Sequence, residues 1–198
     1  MKLSFYVPTL TLLLAILCGL SVAMAQQTRP TATQDLQLSV FTGVSGTYTG
    51  LAGSRNLSLT VGGDLALSPW QGMRPILELR ATTPFDHGST VAQKDFIGGL
   101  RMDFLLGSRV HPYGDFLFGR GELKYAHGGY LYNGYSYLTS TTYVYSPGAG
   151  FDYDLTTHFV LKVDAQYQTW DGPTDSGKIH PAIVTVGLAY RIGWLGMP

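Results

Sequence analysis

Ten charged residues of this chain sit singly among apolar or glycine neighbours, or in pairs two residues apart: Asp64, Glu78, Arg80, Arg101, Asp103, Asp115, Asp152, Lys162, Asp164 and Arg191. A spacing of two is the period of one face of a β-strand, not of a helix. Carboxylates, guanidinium groups and an amine gathered on such faces are the material of a buried ion-pair network, whose members must pair or meet trapped water. Glu78 and Arg101 are candidate partners across neighbouring strands, and Arg191 is expected to seek a carboxylate such as Asp164. The remaining reactive residues make a weaker case. His87 adjoins Asp86 and lies near Ser89, and His180 shares a segment with Asp171, Asp175 and Ser176. His111, His127 and His158 complete the histidines. Nucleophilic or acid–base catalysis needs a base set beside its partner. Ser, Asp and His are common loop residues, and these spacings fix no such pair. No metal-ligand pair at helical spacing occurs. No catalytic residue, cofactor or metal is therefore assigned.

The elements that carry the charges are read from alternation. Eight candidate strands emerge: Asp35–Tyr48, Arg55–Leu67, Arg74–Thr82, Asp95–Leu105, Pro112–Leu123, Thr141–Asp154, Phe159–Trp170 and Ala182–Trp194. Arg55–Leu67 is the clearest, with Leu57, Leu59, Val61, Leu65 and Leu67 against Asn56, Ser58, Thr60, Gly62, Asp64 and Ala66. The first strand is less clean, because Phe41 falls on its polar face and suggests a bulge. No sustained apolar stripe at i, i+3, i+4 argues for a helix after residue 25.

The N-terminus reads as a secretory signal. Lys2 precedes an apolar run from Leu10 to Leu20, and Ala23-Met24-Ala25 is a small-x-small cleavage site before Gln26. A retained anchor is the alternative, but the run is short of the roughly 20 residues that a spanning helix needs. Leu17 before Cys18 argues against a lipoprotein. The expected organisation is a cleaved signal over 1–25, a flexible lead over 26–34 and one domain over 35–198. Cys18 is the only cysteine, so the mature chain has no disulfide. Without Lys2, 12 basic residues face 13 acidic ones, and no basic patch invites nucleic acid. Charged residues make up 13% of the chain, about half the share usual for a soluble domain.

These features converge on an all-β, eight-stranded antiparallel up-and-down transmembrane β-barrel. Each strand can cross a membrane, which takes about 9–11 residues. The connections at 67–74, 105–112 and 154–159 are short, and those on the other side are mostly longer, the pattern of periplasmic turns and external loops. Both termini then fall on the periplasmic side. Phe104, Tyr153, Phe159, Tyr190 and Trp194 are expected near one interface, and Phe96, Tyr143, Tyr145 and Tyr167 near the other. Ordinary sheet packing also favours aromatics. An eight-stranded lumen is just wide enough for side chains to fill, so the charges predict a plug, with Gly99, Gly119, Gly148 and Gly150 leaving room for long side chains. Residues 124–140 interleave Gly with Tyr130, Tyr132, Tyr135 and Tyr137, a candidate surface loop that also reads as a hairpin turning at Asn133-Gly134.

The last strand carries a further pattern. Thr185, Gly187, Tyr190 and Ile192 give a polar, glycine, aromatic, apolar spacing that resembles the C-terminal signal read by the barrel-assembly machinery. Pro112-Tyr113-Gly114-Asp115-Phe116 and Gly148-Ala149-Gly150-Phe151-Asp152-Tyr153 are similar to strands of small OmpA/OmpX-like, porin-family outer-membrane barrels. That resemblance implies residence in a bacterial outer membrane, contact with its lipid, passage through the assembly machinery, and a structural or surface-interaction role for a monomer, with a possible surface ligand at the external loops. It implies no tethering role, because no peptidoglycan-binding domain follows the barrel. A small porin for ions or solutes and a lipid-modifying enzyme are the alternatives. A soluble lipocalin-like barrel ranks last, since its lumen would be apolar.

Overall fold

The computed structural model describes residues 36–51, 54–87, 91–106, 109–126, 128–132, 135–171 and 177–194. The expected signal and lead lie outside the described residues, as do Ser89, His127, the Asn133-Gly134 turn, Asp175 and Ser176. The described residues form twelve strands: β1 (Gln37–Tyr48), β2 (Arg55–Ala66), β3 (Met73–His87), β4 (Val91–Phe104), β5 (Val110–Tyr125), β6 (Tyr130–Tyr132), β7 (Tyr135–Tyr137), β8 (Thr139–Asp154), β9 (Phe159–Tyr167), β10 (Thr169–Asp171), β11 (Lys178–Ile179) and β12 (Ala182–Trp194).

Sequential antiparallel pairing runs from β1 through β5 to β8 and β9. β9 pairs with β12, and β12 pairs back with β1. Eight staves thus close into a barrel with no free sheet edge around its girth. β10 continues the β9 stave. Thr169 stands opposite Tyr145 and Gln166 opposite Gly148, the same register on both sides of Gln168. Pro147, which has no N–H to give the ladder, stands in the gap.

The wall is apolar outside and polar inside. Leu79, Phe96 and Phe118 are 57–61% exposed on the outer face. Arg101, Glu78 and Arg80, on inward positions, are 0–3% exposed. On β2 the alternation has the expected sense: Asn56, Ser58, Thr60 and Asp64 are buried, and Leu57, Leu59 and Val61 are exposed. Phe41 needs no bulge: it points into the lumen in regular register opposite Gly62, and the β1 irregularity falls between Leu38 and Ser39, where the β12 partner jumps from Gly193 to Arg191.

The connections correct the sequence reading at one place. The expected long connection over 82–95 is mostly strand, because β3 runs to His87 and β4 starts at Val91. Thr83, Phe85 and Val91 favour extended backbone, and the two extensions pair with β2 and β5 respectively rather than with each other. At the termini end, Gln71 and Gly72 both hold positive φ in a two-residue turn closed by the Trp70 and Met73 backbone groups, at 2.7 and 3.0 Å. This is the geometry that matches strand twist in tight hairpins.

Candidate functional site

Alternation delivers charge to one level of the lumen from five staves. β2 contributes Asp64, β3 Glu78 and Arg80, β4 Arg101 and Asp103, β8 Asp152, and β9 Lys162 and Asp164. The Arg80 Nε donates to Glu78 Oε1 at 2.8 Å, and its Nη2 also meets Glu78 and Asp164. Lys162 Nζ donates to Glu78 Oε2 at 2.9 Å and Asp64 Oδ2 at 3.2 Å. Arg101 grips Asp103 with two donors, Nε at 2.6 Å and Nη2 at 3.1 Å, and also pairs with Asp152. The expected Glu78–Arg101 pair exists but is loose, at 3.8 Å; Asp64 lies nearer to Arg101, at 3.5 Å.

Three buried cations at one level would repel each other. Two rings separate them. Phe41 lies 5.7 Å from the Arg80 guanidinium and 4.0 Å from Lys162 Nζ. Tyr113 lies 5.7 Å from Lys162 Nζ and 3.7 Å from the Arg101 guanidinium. Each ring presents its negative face to a cation, which favours the alternation of cation and ring.

Above this level, toward the end opposite the termini, the described lumen residues include no cation. Ser45 contacts both Thr60 at 2.5 Å and Thr185 at 2.8 Å, and Thr60 reaches Thr82 at 3.2 Å. Gln166 donates to Asp115 at 2.9 Å and accepts from Ser146 at 2.6 Å. Asp115 is therefore a lumen residue, but its partner is an amide rather than a cation. Higher still, Trp170 donates to Gln168 at 2.7 Å and Gln168 to Asp95 at 3.1 Å. Trp170 is fully buried with Val91, Ile97, Leu117, Leu123, Val144 and Ile179. At the termini end a cavity of about 30 Å³ touches Asp64, Arg101, Asp103 and Asp152, room for one or two waters.

Two expectations about the lumen are corrected. Arg191 does not pair with Asp164. Asp164 stands in register with Thr185, six residues up the strand, and is held by Arg80. Arg191 instead meets Asp154 at 2.6 Å, half-buried at the termini mouth beside His111 (3.3 Å from Asp154). Of the four glycines expected to make room, Gly148 does, facing Gln166 and Asp115, while Gly150 faces the Tyr113 ring and also lies against the Val163 carbonyl of the next strand. Gly99 and Gly119 answer to close strand approach. A Cβ on either would strike the next strand's backbone, at 2.9 Å from Leu117 Cα and 2.8 Å from Ile97 Cα.

Sequence reasoning put Phe41 and Gly62 on the polar face but gave them no role, and it missed Tyr113, Trp170 and the Gly121 that faces the Trp170 ring. The same alternation that sets Lys162 and Asp164 inside also places Trp170 there. Of the histidines, His180 stacks on Tyr167 at 5.8 Å and His158 on Tyr190 at 5.9 Å. Asp171 pairs with Lys178 at 3.5 Å rather than with a histidine.

Thr185 serves the hydroxyl ladder. Gly187 stands opposite Gly43, and a Cβ on either would lie 2.9 Å from the other's Cα. Tyr190 lies on the outer wall 5.2 Å from the Phe159 ring, and Ile192 sits at the β1–β12 irregularity. β6 and β7 form the expected hairpin, with Tyr130 opposite Tyr137 and Tyr132 opposite Tyr135.

No protein-family model matches the sequence, and no curated protein matches it. Solved structures match in fold. Neisserial surface protein A is 12% identical with a TM-score of 0.53, over 79% of this chain and 95% of that one. Ail, the attachment invasion locus protein of Yersinia pestis, is 17% identical with a TM-score of 0.47, over 81% and 100%. The outer membrane protein OprG from Pseudomonas aeruginosa is 14% identical with a TM-score of 0.47, over 80% and 97%.

Proposed function

We propose that this chain is an integral outer-membrane barrel whose lumen is closed by its own side chains, and that it acts structurally or through contacts at its loop end. One observation carries the reading: a closed eight-stave wall that exposes Leu, Val and Phe and buries Asp, Glu, Arg and Lys. Water-soluble barrels favour the reverse; a lipid-embedded barrel needs this arrangement. Support for closure comes from the ion pairs at mid-lumen and the fully buried Trp170 cluster above them. In this reading the signal over 1–25 is removed and both termini face the periplasm. Thr185, Gly187, Tyr190 and Ile192 address the chain to the barrel-assembly machinery. The β6–β7 hairpin stands above the surface, and the exposed Leu131, Tyr137 and Leu138 are the contact area for a surface ligand. The protein works as a monomer without a cofactor and carries out no catalysis.

Two measurements test this. The purified protein should need detergent and should change gel mobility on boiling in SDS. In planar bilayers it should show no large, steady conductance. Solubility in periplasmic extract without detergent would refute the membrane reading, and a stable conducting state would refute the closed lumen in favour of a small porin.

A further inference from the structure

The outer wall carries charge that the lumen does not explain. On β4 and β5 the outward positions beyond Phe96 and Phe118 are Ala92, Lys94, Arg120, Glu122 and Lys124. The register sets Arg120 between Phe96 and Tyr143, Lys94 opposite Glu122, and Lys124 opposite Ala92. Three cations thus share one wall, and Glu122 is the one carboxylate among these described positions, 3.6 Å from Lys124. The Arg120 guanidinium lies 5.1 Å from the Tyr143 ring centre, and Nη2 donates to the Tyr143 hydroxyl at 3.3 Å. A guanidinium carries five N–H donors, so most remain for another acceptor.

The height of these cations is informative. Ten residues of β5 separate Val110, at the termini end, from Arg120. At about 3.3 Å per residue and a tilt of about 40°, they rise about 25 Å, the height of the apolar band of such barrels. Arg120 therefore stands where hydrocarbon gives way to headgroups, with Lys94 and Lys124 just above. On the opposite wall the matching outward positions are Tyr48, Leu57 and Ala182, with Arg55 alone at the strand end. The positive charge is one-sided rather than a collar.

We propose that Lys94, Arg120 and Lys124 form a docking surface for the phosphate group of an anionic outer-leaflet lipid, whose acyl chains lie along Phe96 and Phe118. This rests on the membrane-spanning reading. Charge complementarity selects the occupant: net positive charge at headgroup height attracts phosphate, and the planar guanidinium can hold it with paired donors.

The test uses the full-length folded protein in neutral detergent. It is mixed with the bis-phosphorylated glucosamine-disaccharide lipid, or with the same lipid stripped of its phosphates, and bound lipid is counted by native mass spectrometry. Each basic residue near a charged lipid surface is worth about fivefold, so the triple variant Lys94→Gln/Arg120→Gln/Lys124→Gln should lose preference for the phosphorylated lipid on the order of 100-fold. Arg55→Gln should keep it, and millimolar inorganic phosphate should not displace the lipid. Equal binding of the two lipids, an undiminished preference in the triple variant, or displacement by inorganic phosphate overturns the proposal. Boiling-dependent mobility is read on the same samples. Its absence in the unaltered protein overturns the membrane reading, whereas its presence without lipid preference overturns only the docking surface.

Discussion

Arg101→Met removes the most heavily committed cation of the lumen. Arg101 is fully buried and pairs with Asp103, Asp152 and Asp64, with Glu78 more distant. The loss falls unevenly. Glu78 keeps Arg80 and Lys162, and Asp64 keeps Lys162. Asp103 and Asp152 lose their direct ion pair, although Arg74 stands opposite Asp103 and borders the same cavity. Breaking a buried pair by deleting one partner costs about 3–5 kcal/mol, because the other charge stays buried. Both stranded carboxylates border the small termini-end cavity, so water relieves them in part, and the total should stay near that range rather than double it. With a urea slope of about 2 kcal/mol per molar, the midpoint falls by roughly 2 M. Urea titration in lipid vesicles, read as the fraction with folded-state gel mobility, measures it. The triple variant Arg101→Met/Asp103→Asn/Asp152→Asn should recover most of the loss, since removing a buried charge together with its partners leaves none of them stranded. An Arg101→Met midpoint within 0.3 M of the unaltered protein, on the order of 0.6 kcal/mol at that slope, would refute the argument. So would a triple variant as unstable as the single one.

Three further outcomes follow from the same geometry. Trp170→Ala empties the centre of the loop-end cluster and should cost about 3–5 kcal/mol in the same titration. Leu59→Arg puts charge on the lipid face opposite Val44, near the middle of the band, and should cost about 2–4 kcal/mol in vesicles but far less in micelles that adapt around it. Arg191→Gln removes a half-exposed rim pair with Asp154 and should shift stability by less than about 1 kcal/mol, a contrast with Arg101 that checks the depth dependence.

Period-two alternation was enough to assign a face to nearly every strand residue, because burial on one side and lipid on the other leave no freedom. It could not say where strands stop. β3, β5 and β8 run past the expected membrane edge because antiparallel ladders go on pairing wherever residues tolerate extension, and Thr83, Phe85, Tyr125 and Thr139 do. Nor could it say which charges meet. Lys162 and Glu78 are 84 residues apart, and Lys162 and Asp64 are 98 apart. Their meeting depends on stave tilt and on the register of each intervening pair. Arg191 shows the limit: Asp164 lies on the adjacent β9 but six residues away in register, and the carboxylate that meets Arg191, Asp154, ends β8, one stave further on. The glycines split for a similar reason. Gly148 faces the lumen and Gly119 faces a neighbouring backbone, and both read as Gly between larger residues.

The division of labour between the two faces explains why the lumen is charged at all. A slip of one residue turns every lipid-facing side chain inward and is strongly opposed. A slip of two residues is different. On the outer wall it exchanges Leu for Val or Phe for Leu and changes little. Inside, it carries Asp64 off Lys162 and Arg101 off Asp152, and it drives the Phe41 ring from its place opposite Gly62. It also parts Gly43 from Gly187, where the β1 and β12 backbones meet too closely for a Cβ. The outer surface therefore specifies which way each residue faces, and the lumen specifies which residue stands beside which. A buried ion cluster adds little net stability over an apolar one, but an unpaired buried charge is costly, so the cluster penalises wrong registers far more than it rewards the right one. On this account the Arg101→Met/Asp103→Asn/Asp152→Asn barrel regains its unfolding midpoint without regaining the discrimination that three cations, five carboxylates and two rings impose on the native register.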